Sequence, residues 1–308
     1  MKLTFLGTGA GLPSRNRNVS SLILKLLDES NEMWMFDCGE GTQQQILATT
    51  LKPRKVTKIF ITHLHGDHLY GLPGFLASRS FQGGEHDNVT IYGPRGLRDY
   101  LRVSQQVSQT RLNYQIKVVE LSADSGVAFE NGQYRVIYGL LNHGIRCYGY
   151  RVEEAPHPGE LLIEKAQAAG VPNGPLLGQL KRREQVILPD GTVLDGNDFV
   201  GEDQPGRVVT IFGDTRYHKP ALTLTLGADV LVHEATYAGH EEKMAYQHFH
   251  STARQAAMMA RDGGVKQLYL NHISARYLGR DVKRLEQDAR AVFPHSTVVK
   301  DFDEFDIG

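Results

Sequence analysis

Lys58-Ile-Phe-Ile-Thr-His63-Leu-His65-Gly-Asp67-His68 is the stretch whose reading decides the fold. The apolar run Ile59-Phe60-Ile61 reads as a buried strand, and the loop after it carries three imidazoles and a carboxylate within six positions. His63 and His65 are two apart, so in an extended loop they point the same way. Gly66 lets the chain turn sharply, and Asp67 and His68 then open a helix aimed back at the same space. Neutral imidazole and carboxylate are the groups that Zn²⁺ and other first-row divalent ions favour. Four of them on one turn exceed what a single open catalytic ion takes, which implies half of a two-metal site. A histidine-rich surface loop is the plainer alternative, and the strand and glycine around the histidines argue against it.

At 308 residues the chain is long enough to bury a large core, and 41% hydrophobic with 22% charged residues is an ordinary soluble composition. No apolar run reaches membrane-spanning length, and Met1–Gly7 leads straight into a strand pattern instead of a signal peptide. Cys38 and Cys147 form no disulfide framework and no C-x-x-C pair, so a reducing cytoplasm is the expected home, and no membrane is expected as a partner. A net charge of −1 leaves nucleic-acid binding to local basic clusters and bound metal.

Strands are expected at Lys2–Leu6, Ser20–Leu27 and Met33–Phe36, then at Val89–Tyr92, Ile116–Leu121, Gly126–Phe129, Tyr134–Leu141 and Tyr148–Val152. Helices are expected at Thr42–Thr50, Leu69–Ser80 and Gly96–Val107. This is the pattern of a layered α/β domain. Gly7, Gly9 and Gly11 suggest a phosphate cradle, but no helix pattern follows, so the dinucleotide fingerprint fails its context. A tight loop at a sheet's end is the alternative. Arg15, Asn16, Arg17 and Asn18 favour a phosphate-facing loop. Asp37, at a strand end, reads as a buried brace for the histidine loop. Residues 155–200 are punctuated by prolines and glycines around one helical run, Glu160–Ala169, and are too long for a plain connection. The alternation resumes with strands Val208–Phe212, Asp229–Val232 and Gln267–Leu270, a helix following Thr252 through about Arg261, helix Val282–Phe293 and a last strand near Thr297–Val299.

Two ions need more ligands than one loop supplies. His143, Asp214 and His272 each follow an apolar run, as expected when several strands end on one rim, and Asp214 suits a bridging position. This order of ligands resembles the metallo-β-lactamase superfamily. More closely, the chain resembles the ribonuclease Z family, endonucleases that trim the 3′ trailer from precursor tRNA. The resemblance runs from Phe5-Leu6-Gly7-Thr8-Gly9 to the last helix. Its specific marks are His233-Glu234-Ala235-Thr236, His250-Ser251-Thr252, the loop Pro13–Asn18, and the insertion near 155–200 with Gly174-Pro175. The metal signature alone also fits lactamases, thioesterases and a small-molecule phosphodiesterase, the alternative function.

The resemblance implies an αββα sandwich, two facing mixed sheets with outer helices, forming a single domain over 1–308 with a flexible arm at 155–200. It implies two Zn²⁺ per chain, one held by His63, His65 and His143, the other by Asp67, His68 and His272, with Asp214 between them. Asp67 would also serve as base, His250 as proton donor and Glu234 as its orienting partner, while Ser251 and Thr252 alternatively mark a simple helix cap. Arg15, Arg17, Asn18, Gly174, Pro175 and Arg276 would bind precursor tRNA, with Lys52, Arg54 and Lys55 adding charge near the site. A homodimer is implied as well. Arg15 stands where the family often has lysine, and the two bind phosphate differently.

Overall fold

The computed structural model describes residues 1–82 and 88–308, which divide into two compact units. The larger comprises residues 1–131, 135–152 and 208–308, the smaller residues 132–134 and 153–207.

In the larger unit, strands β1 (Lys2–Gly7), β2 (Ser21–Leu26), β3 (Glu32–Phe36), β4 (Val56–Phe60), β5 (Val89–Pro94) and β6 (Ile116–Leu121) lie side by side in chain order. The second sheet holds β7 (Ser125–Glu130), β8 (Tyr134–Leu140), β9 (Tyr148–Glu154), β10 (Val208–Phe212), β11 (Val230–Glu234), β12 (Gln267–Asn271) and β13 (Ser296–Val298). A final strand, β14 (Glu304–Asp306), returns to the first sheet and pairs antiparallel with β1, Leu3 facing Phe305. Both sheets are mixed. In the first, the pairs β1–β2 and β2–β3 are antiparallel and β3 to β6 run parallel; in the second, β10 to β13 are parallel and β7–β8 antiparallel.

Aromatic side chains fill the space between the sheets. Phe36, Phe60 and Tyr92 of the first sheet stack at 5.0 and 4.9 Å, and Tyr150 of the second meets Phe60 at 5.3 Å. On the outer faces, helices Leu72–Phe81 and Leu97–Ser108 bury Phe75, Leu76, Leu97 and Leu101 against one sheet. Helices Ala253–Asp262 and Arg280–Arg290 bury Ala256, Ala257, Leu285 and Ala289 against the other. The layers are therefore α, β, β, α, and the near-continuous apolar strands are those a doubly covered sheet requires.

The smaller unit is more ordered than its sequence suggests. It holds two helices, Ile163–Ala168 and Pro175–Lys181, and a hairpin pairing Gln185–Ile187 with Val193–Asp195. Ala166, Val171, Leu180, Val186, Leu188 and Phe199 make a core of their own. The first helix begins at Ile163 rather than Glu160 because Leu161 forms a β-bridge to Val200.

Candidate metal centre

Parallel strands deliver side chains to one rim, because β10, β11 and β12 run in register and end together. Asp214 follows β10, Glu234 ends β11 opposite Asn271, and His272 follows β12. Sites outside the carboxyl ends of such strands are the rule for open α/β sheets. From the facing sheet, β4 ends at Phe60, and the loop beyond it is tied across the gap. The Tyr150 hydroxyl donates to Ile61 O at 2.7 Å, and the Tyr148 N–H donates to Thr62 O at 2.9 Å.

The histidine rings are oriented by their second nitrogens. Asp37, in a left-handed backbone conformation (φ 57°), accepts from Thr62 N and Thr62 Oγ1 and from His68 Nδ1, at 2.7, 2.8 and 2.7 Å. Thr62 Oγ1 spends its proton on Asp37, so at 3.0 Å it accepts from His63 Nδ1. Likewise Thr236 Oγ1 donates to Glu234 at 2.6 Å and accepts from His272 Nδ1 at 2.9 Å. The carbonyl of Phe249 accepts from His143 Nδ1 at 2.9 Å. Each of these four rings is thereby fixed with Nδ1 protonated and the Nε2 lone pair turned to a common point, the usual device for ligating histidines.

His63, His65, His143 and Asp214 each present one donor atom, all within 4.8 Å of one another; so do Asp67, His68 and His272. His65 uses Nδ1, which lies 3.1 Å from His63 Nε2 and 3.2 Å from His143 Nε2. Donor atoms on an ion with bonds of roughly 2.0–2.1 Å sit about 3.4 Å apart, so the spacing fits a tetrahedral ion. Asp214 lies between the two groups, with Oδ1 3.5 Å from His68 Nε2 and Oδ2 3.7 Å from His63 Nε2 and 3.4 Å from His272 Nε2. His68 Nε2 is buried with no hydrogen-bond partner among the described residues, an orphan that a cation would satisfy. Burial opposes the charge on Asp214, yet the rings of His272, His68 and His63 hold its carboxyl well below the usual range. The donor set fits a pair of divalent ions.

Beside this cluster, His250 Nδ1 lies 2.8 Å from Glu234 Oε1 and 3.9 Å from Asp214 Oδ2. Burial would lower the imidazole pKa, but the charge and hydrogen bond of Glu234 raise it to about 9. Glu234 is itself fixed, accepting from Thr215 N, Thr236 N and Thr236 Oγ1. Thr252 caps helix Ala253–Asp262 in a capping box with Gln255, so capping and the placement of His250 coexist. His233 is a buried core residue donating to the Glu234 carbonyl, and His248 stacks on Tyr237.

The basic residues divide. Arg15 is exposed on the loop whose Gly11 N–H donates to Asp67 Oδ2 at 2.8 Å. Arg17, expected to face phosphate, is instead buried, its Nη1 donating to Thr8 Oγ1 and Val299 O, both at 2.6 Å. Asn18 is also engaged within the fold, its side chain donating to Glu40 O and its backbone to Asp301. Both are therefore braces of the loop. Arg276 is exposed near Tyr237, its guanidinium bonded to Glu241. Lys52, Arg54 and Lys55 precede β4 and so lie at the end opposite the histidine loop, about 17 Å away for a five-residue strand. Gly174 (φ 149°) and Pro175 open the second helix of the smaller unit.

Sequence reasoning passed over Thr62 and Phe249, whose hydroxyl and carbonyl orient the ligands, and read Gly11 as part of a phosphate cradle or tight loop where its N–H holds Asp67. Only Thr236, inside the quoted His-Glu-Ala-Thr run, left a readable signal.

A family model described as anti-Pycsar protein Apyc1 matches residues 1–140. Ribonuclease Z of Limosilactobacillus fermentum is 56% identical over 307 residues, covering 100% of this chain and 98% of the relative. Among solved structures, human tRNase Z, short form, superposes with a TM-score of 0.74 at 30% identity, covering 100% of both chains. The metallo-β-lactamase fold protein YhfI of Bacillus subtilis gives a TM-score of 0.67 at 17% identity, covering 99% of this chain and 98% of that one, a likeness of fold alone. With its full length matched at such identity, the chain belongs to the ribonuclease Z family.

Proposed function

We propose that this protein is a zinc-dependent endoribonuclease that removes the 3′ trailer from precursor tRNA, leaving a 3′-hydroxyl on the tRNA and a 5′-phosphate on the trailer. The observation that carries the reading is the convergence of seven donor groups beside a histidine–glutamate pair. In this reading His63, His65 and His143 hold one Zn²⁺, Asp67, His68 and His272 hold a second, and Asp214 is shared. Bound there, such ions supply Lewis acidity towards a phosphoryl oxygen and lower the pKa of water towards neutrality.

The chain's own groups do the rest. The Asp67 carboxylate, held by the Gly11 N–H, accepts the proton of the attacking water and keeps it aimed at phosphorus. His250, kept protonated near neutrality by Glu234, donates a proton to the leaving O3′. Arg15 and Arg276 meet phosphates near the cut, and the arm, with Gly174 and Pro175, binds the folded part of the tRNA by shape. The family resemblance further supports a homodimer working in the cytoplasm. Among the described residues no helix is long and apolar enough to cross a membrane.

Incubating metal-loaded protein with labelled precursor tRNA and mapping both ends tests this. Cleavage at the trailer with the end groups above is expected. Products bearing a 2′,3′-cyclic phosphate, or hydrolysis of small phosphodiesters without cleavage of the precursor, would overturn it.

A further inference from the structure

The ring of His143 is held from outside the metal cluster. Its Nδ1 donates to the carbonyl of Phe249, and Phe249 sits at φ 63°, a left-handed conformation uncommon for a bulky side chain. Something must hold that residue in place. The Arg216 guanidinium lies 3.8 Å from the Phe249 ring centroid and 3.9 Å from that of Tyr246, and its Nε donates to the Tyr246 carbonyl at 2.6 Å. Both rings are partly in solvent, Tyr246 65% exposed and Phe249 36%, so core burial does not anchor them. Among the described residues Arg216 has no carboxylate partner; its charge is committed to two π faces.

The same residue grips the other side of His143. The Arg216 N–H donates to Asn142 O at 2.8 Å, while Thr215 Oγ1 accepts from Asn142 N at 3.1 Å and donates to Arg216 O. The residue before His143 is thus pinned at both its N–H and its carbonyl, and the imidazole is pinned at Nδ1. All of this converges on the segment 214–216 that also carries Asp214.

We propose that Arg216 is a positioning residue: stacked between Tyr246 and Phe249, it holds the strained Phe249 carbonyl against His143 and so fixes the tautomer and direction of that ligand. The kinetic part of the inference rests on the nuclease reading; the structural part does not. A planar guanidinium covers two rings at once, whereas lysine keeps the charge and loses the stacking.

The test uses the full chain with Arg216→Ala, Arg216→Lys, Phe249→Ala and Phe249→Gly. Side-chain ¹⁵N spectra of the histidines are recorded without metal, zinc affinity is measured by chelator competition, and precursor tRNA cleavage is measured after loading. In Arg216→Ala and Phe249→Ala the His143 signal is expected to leave the single Nδ1–H tautomer, with zinc affinity falling roughly 10–100-fold, the usual loss for an orienting group. The kcat falls with it and KM stays within about twofold of wild type. Arg216→Lys is expected between wild type and Arg216→Ala, and it carries the test should Arg216→Ala not fold. Phe249→Gly is expected to be less impaired than Phe249→Ala, since glycine adopts the left-handed conformation freely. Zinc affinity and a His143 spectrum within about twofold of wild type in both Arg216→Ala and Phe249→Ala would overturn the proposal. If wild-type protein failed to cleave precursor tRNA, the nuclease reading would fall, and the spectra and chelator competition would still decide the positioning role.

Discussion

Around Asp214 almost every polar atom serves a second one: Asp37 holds Thr62 and His68, Thr62 holds His63, and Glu234 holds Thr236, which holds His272. In residues 153–207 the organisation is different. Two short helices and a three-residue hairpin close over six apolar side chains, and the ion pairs Arg182–Glu184 and Arg183–Asp203 lie in solvent, where such pairs contribute little. In the first region the side chains orient one another through these bonds, and chemistry at phosphorus needs such positioning. The second keeps its shape by packing six apolar side chains, with no comparable chain of buried polar bonds among the described residues.

The difference can be broken at either end. The largest effect is expected from Asp214→Ala, which removes the carboxylate lying between the two ligand groups. Metal content should fall well below the wild-type value by elemental analysis, and cleavage of precursor tRNA by roughly a thousandfold or more. His250→Ala should keep its metal and lose about 10²–10⁴-fold in kcat, the range for one proton donor. Metal lost together with rate would make His250 a ligand instead. Deleting residues 155–200 should sharpen the contrast: turnover of a small chromogenic phosphodiester persists while precursor cleavage is lost. Equal loss of both would tie that segment to the chemistry.

The smallest effect concerns acid. The buried carboxylate of Glu154 resists charge through desolvation, but Arg207 and His157 lower its pKa from 4.5 to about 2. A depressed carboxylate contributes stability that is complete above about 4.5 and lost as pH falls towards 2. Amide exchange in residues 153–207 should therefore accelerate through that window in the wild type and less so in Glu154→Gln. Identical profiles would show that the Glu154–Arg207 pair does not hold this unit.

What could be read from the chain follows the same division. Asp214 and His272 were legible because each follows an apolar run, and parallel strands that end together must share a rim; His143 also follows an apolar run but lies in the turn between β8 and β9. Arg17 was not, because composition gives no direction: two residues from the exposed Arg15, its side chain turns inward to Thr8 and Val299. The helix at Pro175–Lys181 lay in plain view behind Gly174-Pro175, a start signal obscured by the prolines around it. Strand β14 is acidic and three residues long, and only its pairing with β1 makes it a strand. The contacts of Phe249 with His143 and Arg216 are long-range, and no local pattern encodes them.

The most direct test of the central claim is an anomalous difference map at the zinc edge from crystals of zinc-loaded protein. Two peaks about 3.5–4 Å apart are expected, one among His63, His65 and His143, the other among Asp67, His68 and His272, with Asp214 reaching both. A single peak, or ions bound elsewhere while these side chains keep their present positions, would contradict the account.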